Sequence, residues 1–222
     1  DVPNARSSHS LPTPRGGGVA IVVAFLTGLC LTFFSGLGVA AEAFYALFAA
    51  TSKALKAYDP GLIVGGPGLA GFTHTDWVQG FLRALKAQGA PIDFFSWHVY
   101  HMGNPYTLAR AQRLVRGVLD AEGFPATAAI NTEWNLNPGT SCAAVGCSPY
   151  VVGAYNGAHL AAALSYLQDT DIPLAFRYRT DGYGMFGLFG DGIADPLYSP
   201  SGLAQLLWAG FRETPTRVAA EG

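Results

Sequence analysis

The sequence predicts an α/β chain with parallel strands, on three observations. After residue 40, apolar strand-like runs alternate four times with amphipathic helical patterns. Strand, helix, strand in succession is the signature of right-handed parallel crossovers. The third observation is bulk: of 222 residues half are hydrophobic and only 13% charged, enough to bury a real core. Four strand–helix units fall short of a closed barrel, which needs eight strands and about 250 residues. The sheet is therefore expected to be open or half-built.

The chain begins with a polar stretch rich in Pro and Ser, and residues 16–41 then contain no Asp, Glu, Lys, Arg or His. At about 1.5 Å per helical residue this run is long enough to cross a hydrocarbon core of about 30 Å. Arg6 and Arg15 before it favour a cytoplasmic amino end. An apolar, transmembrane-like helix is expected, with membrane contact through residues 16–41. A buried hairpin or helix of a soluble core is the alternative, supported by the glycines in the run, and a secretory signal fits less well because signal cores are shorter. The chain is membrane-associated if the run inserts, and otherwise cytoplasmic or exported.

Helices are expected at about 40–58, 75–88, 107–121 and 150–168, with a last one near 201–212. The strands between them are Leu62 to Gly66, Ile92 to Tyr100, Thr127 to Trp134 and Leu174 to Tyr178. The helix over 107–121 shows its period plainly, with Leu108, Ala111, Leu114, Val115, Val118 and Leu119 on one stripe. Gly123 and Pro125 mark its end. The longest connection, Asn135 to Pro149, leaves the third strand at the end where binding and catalytic loops of such sheets gather.

The strongest chemical signal is Asn131-Thr132-Glu133-Trp134-Asn135, which closes a strand of small and apolar residues. Glu133 there has an apolar wall and hydrogen-bonding neighbours, which suits a positioned nucleophile or base; the bland alternative is a glutamate in a surface loop. In Ser96 to His101, the period of two puts Ser96, His98 and Tyr100 on one face and Trp97 and Val99 on the other. His98 and Tyr100 are then placed to contact substrate at the rim that carries Glu133. His98 could equally be a core histidine satisfied by backbone, and a metal site at His98 and His101 lacks further ligands at suitable spacing. Trp134, which follows Glu133, is the tryptophan expected to stack on a sugar ring. Arg177 and Arg179 alternate along the last strand and could clamp a polar ligand or pair with Asp181; inward arginines need such partners. With Asn131, these make His98, Tyr100, Trp134, Asn131 and Arg177 the candidate substrate-binding residues around Glu133.

Other chemistries find little support. Thirteen basic and 15 acidic residues give a net charge of −2, which implies neither a nucleic-acid surface nor an acidic tail. There is no Walker loop, GxSxG elbow or HExxH, and Gly16 to Gly18 form a lone cluster with no strand before them. No metal or cofactor is implied. Cys142 and Cys147 are compatible with a short disulfide in an exported domain or with free thiols in the cytosol.

From about Glu42 to Arg212 the chain resembles clan A glycoside hydrolases, family 39 above all, the β-xylosidase and α-iduronidase family. The stretches that carry the resemblance are AATSKALKAYDPGLIVGGP, WVQGFL, PIDFFSWHVY and NTEWN, in the order of the fourth helix to seventh strand of a (β/α)8 TIM barrel. The resemblance implies a partial barrel of about four βα units, a carbohydrate substrate, Glu133 as nucleophile of a retaining enzyme, and His98 and Tyr100 on the substrate side. It also implies exposed barrel edges through which the chain could self-associate. The family's acid/base glutamate follows an Asn in a Trp-Asn-Glu-Pro motif, and this sequence has no Asn-Glu pair. Glu42 falls at a helix start, where a dipole-complementing role is expected. Residues 1–38 instead resemble the cytoplasmic loop and membrane helix of a bacterial polyprenyl-phosphate sugar-1-phosphate transferase, carried by PNARSSH and PTPRGGG. Its Mg²⁺-binding Asp motifs are absent. The resemblances imply a chimeric or truncated bacterial chain: residues 1–39 transferase-like, residues 40–222 a partial glycosidase barrel. A non-catalytic carbohydrate-binding or scaffold module, and a fragment of the transferase, are the alternative functions.

Overall fold

The computed structural model describes residues 41–71, 75–101, 103–136, 153–179, 187–189 and 198–213. The apolar run up to residue 40, Cys142, Cys147 and Asp181 lie outside them. The chain divides into two compact units, Asp1–Leu47 and Phe48–Gly222. Among the described residues no helix is long and apolar enough to cross a membrane.

The elements in order are α1 (Ala41–Tyr58), β1 (Gly65–Leu69), α2 (Thr75–Ala87), β2 (Phe94–His101), α3 (Tyr106–Ala121), β3 (Ala128–Leu136), α4 (Ala154–Leu167), β4 (Ala175–Arg177) and α5 (Pro200–Gly210). A 3₁₀ turn, Phe211–Glu213, follows. The four strands form one sheet in the order β1-β2-β3-β4, and every neighbouring pair is parallel. Glu42 occupies the first turn of α1, the expected place. Gly123 has φ +87° just after α3, so glycine there supplies the left-handed residue that stops the helix.

Two expectations shift. The first strand was placed at Leu62 to Gly66 because Leu62, Ile63 and Val64 look strand-like, yet pairing begins only at Gly65, opposite Phe94. Ile63 is 77% exposed, and a Cβ on Gly65 would come within 2.2 Å of the Phe94 carbonyl oxygen, so only glycine lets the strands meet there. Val64 is used otherwise: its amide donates to Asp93 Oδ2 at 2.7 Å, and that carboxylate also pairs with Lys56 Nζ at 2.8 Å. These contacts hold the Asp93 carboxyl below the ordinary aspartate range. The second shift is Leu114, expected on the buried stripe of α3 but 51% exposed; Gln112 is buried and donates to Asp171 Oδ1 at 3.1 Å.

One face of the sheet is closed by helices. Phe95, Trp97, Ala129 and Trp134 are all at most 2% exposed, and Phe81 of α2 meets Phe95 with ring centroids 6.4 Å apart. Phe81 in turn packs edge-on to Phe48 at 5.0 Å. The stripes of α2 (Val78, Phe81, Leu82, Leu85) and α3 (Leu108, Ala111, Val115, Leu119) are buried at the spacing that places them on one side of each helix.

Candidate active site

The central strands β2 and β3 carry the site, and an irregularity in their pairing builds it. Trp97 lies opposite Asn131, but His98 lies opposite Glu133, so Thr132 has no partner across the ladder. In unbroken register Glu133 would share the face of Asn131 and Trp97, the helix-covered one, because side chains alternate with period two. The extra residue turns Glu133 onto the face of His98 and Tyr100. A one-residue bulge thus converts a buried position into an accessible one.

On that face the Tyr100 hydroxyl donates to Glu133 Oε1, and His98 Nδ1 stands 3.8 Å from Oε2. Both side chains of the second pair are partly open, at 24% and 31% exposure. Burial pushes the Tyr100 phenol well above the ordinary tyrosine range; its hydrogen bond to Glu133 adds to this, with the charges of Glu133 and Tyr178 behind. Tyr100 therefore stays a donor at any physiological pH. It fixes one carboxylate oxygen and leaves the other toward His98. Below His98, the Ser96 hydroxyl accepts from the Gly68 amide at 2.8 Å, tying β1 to the same face.

Five of the other described carboxylates are placed elsewhere by topology. Asp93, Asp120, Glu122, Asp169 and Asp171 lie where helices end or lead into strands, at the amino ends of the strands and the opposite end from Glu133. Asp76, in the first turn of α2, is at the carboxyl end but exposed beyond the edge strand β1. Among the described residues no group of three or more His, Cys, Asp or Glu side chains is gathered that could hold a metal ion.

The sequence profile of Glycosyl hydrolases family 39 matches residues 31–181, most of the chain. The chain belongs to glycosyl hydrolase family 39. This family 39 chain is 34% identical over 65 residues to a β-xylosidase of Geobacillus stearothermophilus, a span of 29% of this chain and 13% of that protein. Among solved structures, a glucosidase from Croceicoccus marinus is similar at 30% identity and TM-score 0.56, over 68% of this chain and 33% of that one. A family 39 β-xylosidase from Caulobacter crescentus is similar at 25% identity and TM-score 0.59, over 76% of this chain and 37% of that one. The family 39 chain thus spans a small part of the curated relative and about a third of the solved ones. The family match begins inside the apolar run, earlier than Glu42, and ends before Arg212.

Of the residues singled out in the family 39 sequence, the structure brings together Glu133, His98 and Tyr100 and leaves three apart. Trp134 lies within β3 rather than in a loop, across from Val99, and is 2% exposed, so its ring is core and not a free stacking surface. Asn131 is fully buried across from Trp97. Arg177 pairs with Trp134, and its Nη2 donates to Ser201 Oγ of α5 at 3.3 Å while Nη1 reaches the Arg179 carbonyl at 3.4 Å. Burial pulls its pKa down to about 10, so it remains a cation at neutral pH on the helix side of the sheet.

The residue that sequence reasoning missed is Tyr178. It extends β4, its amide donating to the Trp134 carbonyl at 2.9 Å and its carbonyl accepting from Asn135 Nδ2. Alternation from Arg177 turns it to the face of Glu133, consistent with its charge interaction with Tyr100, and it is 38% exposed. The same period of two that was applied to Ser96 to His101 would have found it.

A pH prediction follows from Tyr100. Its folded pKa lies above the unfolded one, so the stability it contributes is whole below about pH 10 and is lost as pH rises through the raised value. The difference in phenolate absorbance between the wild-type chain and Tyr100→Phe is expected to emerge only above the ordinary tyrosine range. A difference centred near pH 10 would show that Tyr100 does not hold its proton for Glu133.

Proposed function

We propose that residues 40–222 act as the carboxyl-terminal half of a retaining β-glycosidase barrel of xylosidase type, with Glu133 as nucleophile. The observation that carries this is the placement of Glu133 between Tyr100 and His98, at the carboxyl end of the central strands and on the open face of the sheet. The substrate class, a β-linked xyloside, is suggested by the likeness to the β-xylosidases of Geobacillus stearothermophilus and Caulobacter crescentus.

In this mechanism a Glu133 carboxylate oxygen attacks the anomeric carbon as the glycosidic C–O bond breaks, forming a glycosyl ester. Water then attacks that carbon as the ester C–O bond breaks, loses a proton to solvent, and so releases the free sugar and returns the carboxylate. The displaced oxygen needs a proton, which in retaining enzymes comes from a second carboxyl group about 5–5.5 Å from the first. The partners described for Glu133 are a phenol and an imidazole, and the phenol holds its proton tightly. These described partners of Glu133 suit it to leaving groups that depart without protonation.

The direct test is trapping with a dinitrophenyl 2-deoxy-2-fluoro-β-xyloside, whose leaving group needs no acid and whose glycosyl ester hydrolyses slowly. One sugar is expected on the peptide containing Glu133, and none on Glu133→Gln. Labelling that persists in Glu133→Gln, or no labelling in a folded chain, would sink the assignment.

The half-exposed ring of Tyr178 on the face of Glu133 also supports a second reading, a non-catalytic carbohydrate-binding module. Its stacking ring would be Tyr178 rather than Trp134. Xylo-oligosaccharide binding would then survive Glu133→Gln and be lost in Tyr178→Ala.

A further inference from the structure

The two helices that follow the site strands meet through a pair of tyrosines. Tyr106 opens α3, and Tyr166 lies one residue before the end of α4, sixty residues later in the chain. Their rings stack with centroids 3.7 Å apart and planes 22° from parallel. Packed aromatic rings usually stand about 4.5–7 Å apart, so this spacing is near the limit of about 3.5–4.0 Å set by carbon–carbon contact. The two phenols are also hydrogen-bonded, which raises the Tyr166 pKa above the ordinary tyrosine value. Rings bonded through their hydroxyls point the same way, so the carbons beside each hydroxyl overlie their counterparts. Local contacts hold the pair in place. The Tyr106 amide donates to Asn104 Oδ1 at 3.0 Å, and Gln112, buried on α3, donates to Asp171 Oδ1 just beyond α4 at 3.1 Å. Tyr106 is 52% exposed and so within reach of a reagent in solvent.

We propose that Tyr106 and Tyr166 form a site of oxidative cross-linking, joined as dityrosine by a peroxidase-type one-electron oxidant with hydrogen peroxide. Each phenol loses one electron and its hydroxyl proton, which leaves a phenoxyl radical with spin on the carbons beside the oxygen. The two radicals couple there in one carbon–carbon bond. The hydrogen on each coupled carbon then moves to its own oxygen and restores both phenols. The two electrons and two protons reduce hydrogen peroxide to two waters, so the chain becomes lighter by two hydrogen atoms. Coupling within the chain is favoured because both rings are already held close to the near-attack separation of about 3–3.5 Å, which turns an encounter between two molecules into a step within one. The strand of His98 and Tyr100 leads into α3, and that of Glu133 precedes α4, so the new bond pins together the two strand–helix units that carry the site. Its formation does not depend on glycosidase activity.

The test is treatment of the full, folded chain at low concentration with a haem peroxidase and hydrogen peroxide, followed by denaturing electrophoresis, dityrosine fluorescence and sequencing of the linked peptides by mass spectrometry. Fluorescence is expected in material of single-chain mass, 23.3 kDa, with Tyr106 joined to Tyr166 and two hydrogens lost. Tyr106→Phe and Tyr166→Phe each keep a ring to stack but cannot form the second radical, so each should lose the link. Tyr155→Phe, at the start of α4, should retain it. The chain unfolded in urea should give the link in far lower yield, because the two rings are then sixty residues apart and compete with the other tyrosines among the ten. Dityrosine found only between chains, only at other tyrosine pairs, or in equal yield from the unfolded chain would overturn the proposal. So would its absence from the folded chain at an oxidant dose that couples free tyrosine. If the phenylalanine variants do not fold, the position of the link read from the wild-type peptides decides.

Discussion

A dinitrophenyl β-xyloside is expected to be hydrolysed by this chain in a strictly Glu133-dependent manner, while xylobiose is left almost untouched. The size of the contrast follows from the site. General acid catalysis contributes about 10²–10⁴-fold where the leaving group is a poor one, and a sugar alkoxide is far poorer than dinitrophenolate. Glu133 has a fixed geometry, one oxygen held by Tyr100 and the other facing His98, so attack on the anomeric carbon is provided for. Protonation of a departing alkoxide is the step expected to be slow, because among the described residues Tyr100 retains its proton and the carboxylates Asp93, Asp120, Glu122, Asp169 and Asp171 sit at the far end of the strands. The ratio of the two rates should therefore exceed that of a glycosidase with both carboxyl groups by about 10²–10⁴. Glu133→Gln should abolish the aryl-xyloside reaction, since an amide cannot form the glycosyl ester. Steady release of dinitrophenolate monitored by absorbance, beside chromatography of xylobiose digests, measures both arms. Efficient xylobiose cleavage that depends on Glu133 would show that an acid is present after all, and aryl-xyloside cleavage unaffected by Glu133→Gln would remove Glu133 from the chemistry.

Periodicity made most of this architecture legible. The patterns over 40–58, 75–88 and 107–121 found helices that begin and end within a residue of those expected, because each has one apolar stripe and clear punctuation such as Gly123. Parallel topology followed from alternation and is what the sheet shows. The failures have a common physical cause, which is that side-chain direction depends on pairing as well as on sequence. Trp134 follows a catalytic-type glutamate and so looked available, but the next residue along a strand points to the other face, where helices cover it. Arg177 was singled out for its charge, while its neighbour Tyr178 holds the position on the open face. The bulge at Thr132 could not be read at all, since it exists only as a mismatch between two strands. Without it Glu133 would be buried, so the feature that makes the site is the one that composition and spacing leave silent.

Trp134→Ala is expected to act on folding before it acts on any sugar. The indole is 2% exposed in a central strand, flanked in register by Val99 on β2 and Arg177 on β4. Truncating a buried tryptophan to alanine costs about 3–5 kcal/mol in lost burial and residual cavity. For a unit of this size about 2–4 °C of melting temperature is lost per kcal/mol, so the drop is on the order of 10 °C. The indole N–H is buried without a hydrogen-bond partner among the described residues, a state that itself costs free energy. Trp134→Phe removes that donor along with part of the ring, so the two effects oppose each other and the change should be much smaller. Tyr178→Ala, at a ring already 38% exposed, should leave stability nearly unaltered and alter sugar binding instead. Urea unfolding followed by circular dichroism, alongside titration with xylo-oligosaccharide, separates the two roles. If Trp134→Ala unfolded at the wild-type midpoint and yet lost sugar binding, the ring would have to be a substrate platform, and the assignment of that face of the sheet to the core would be wrong.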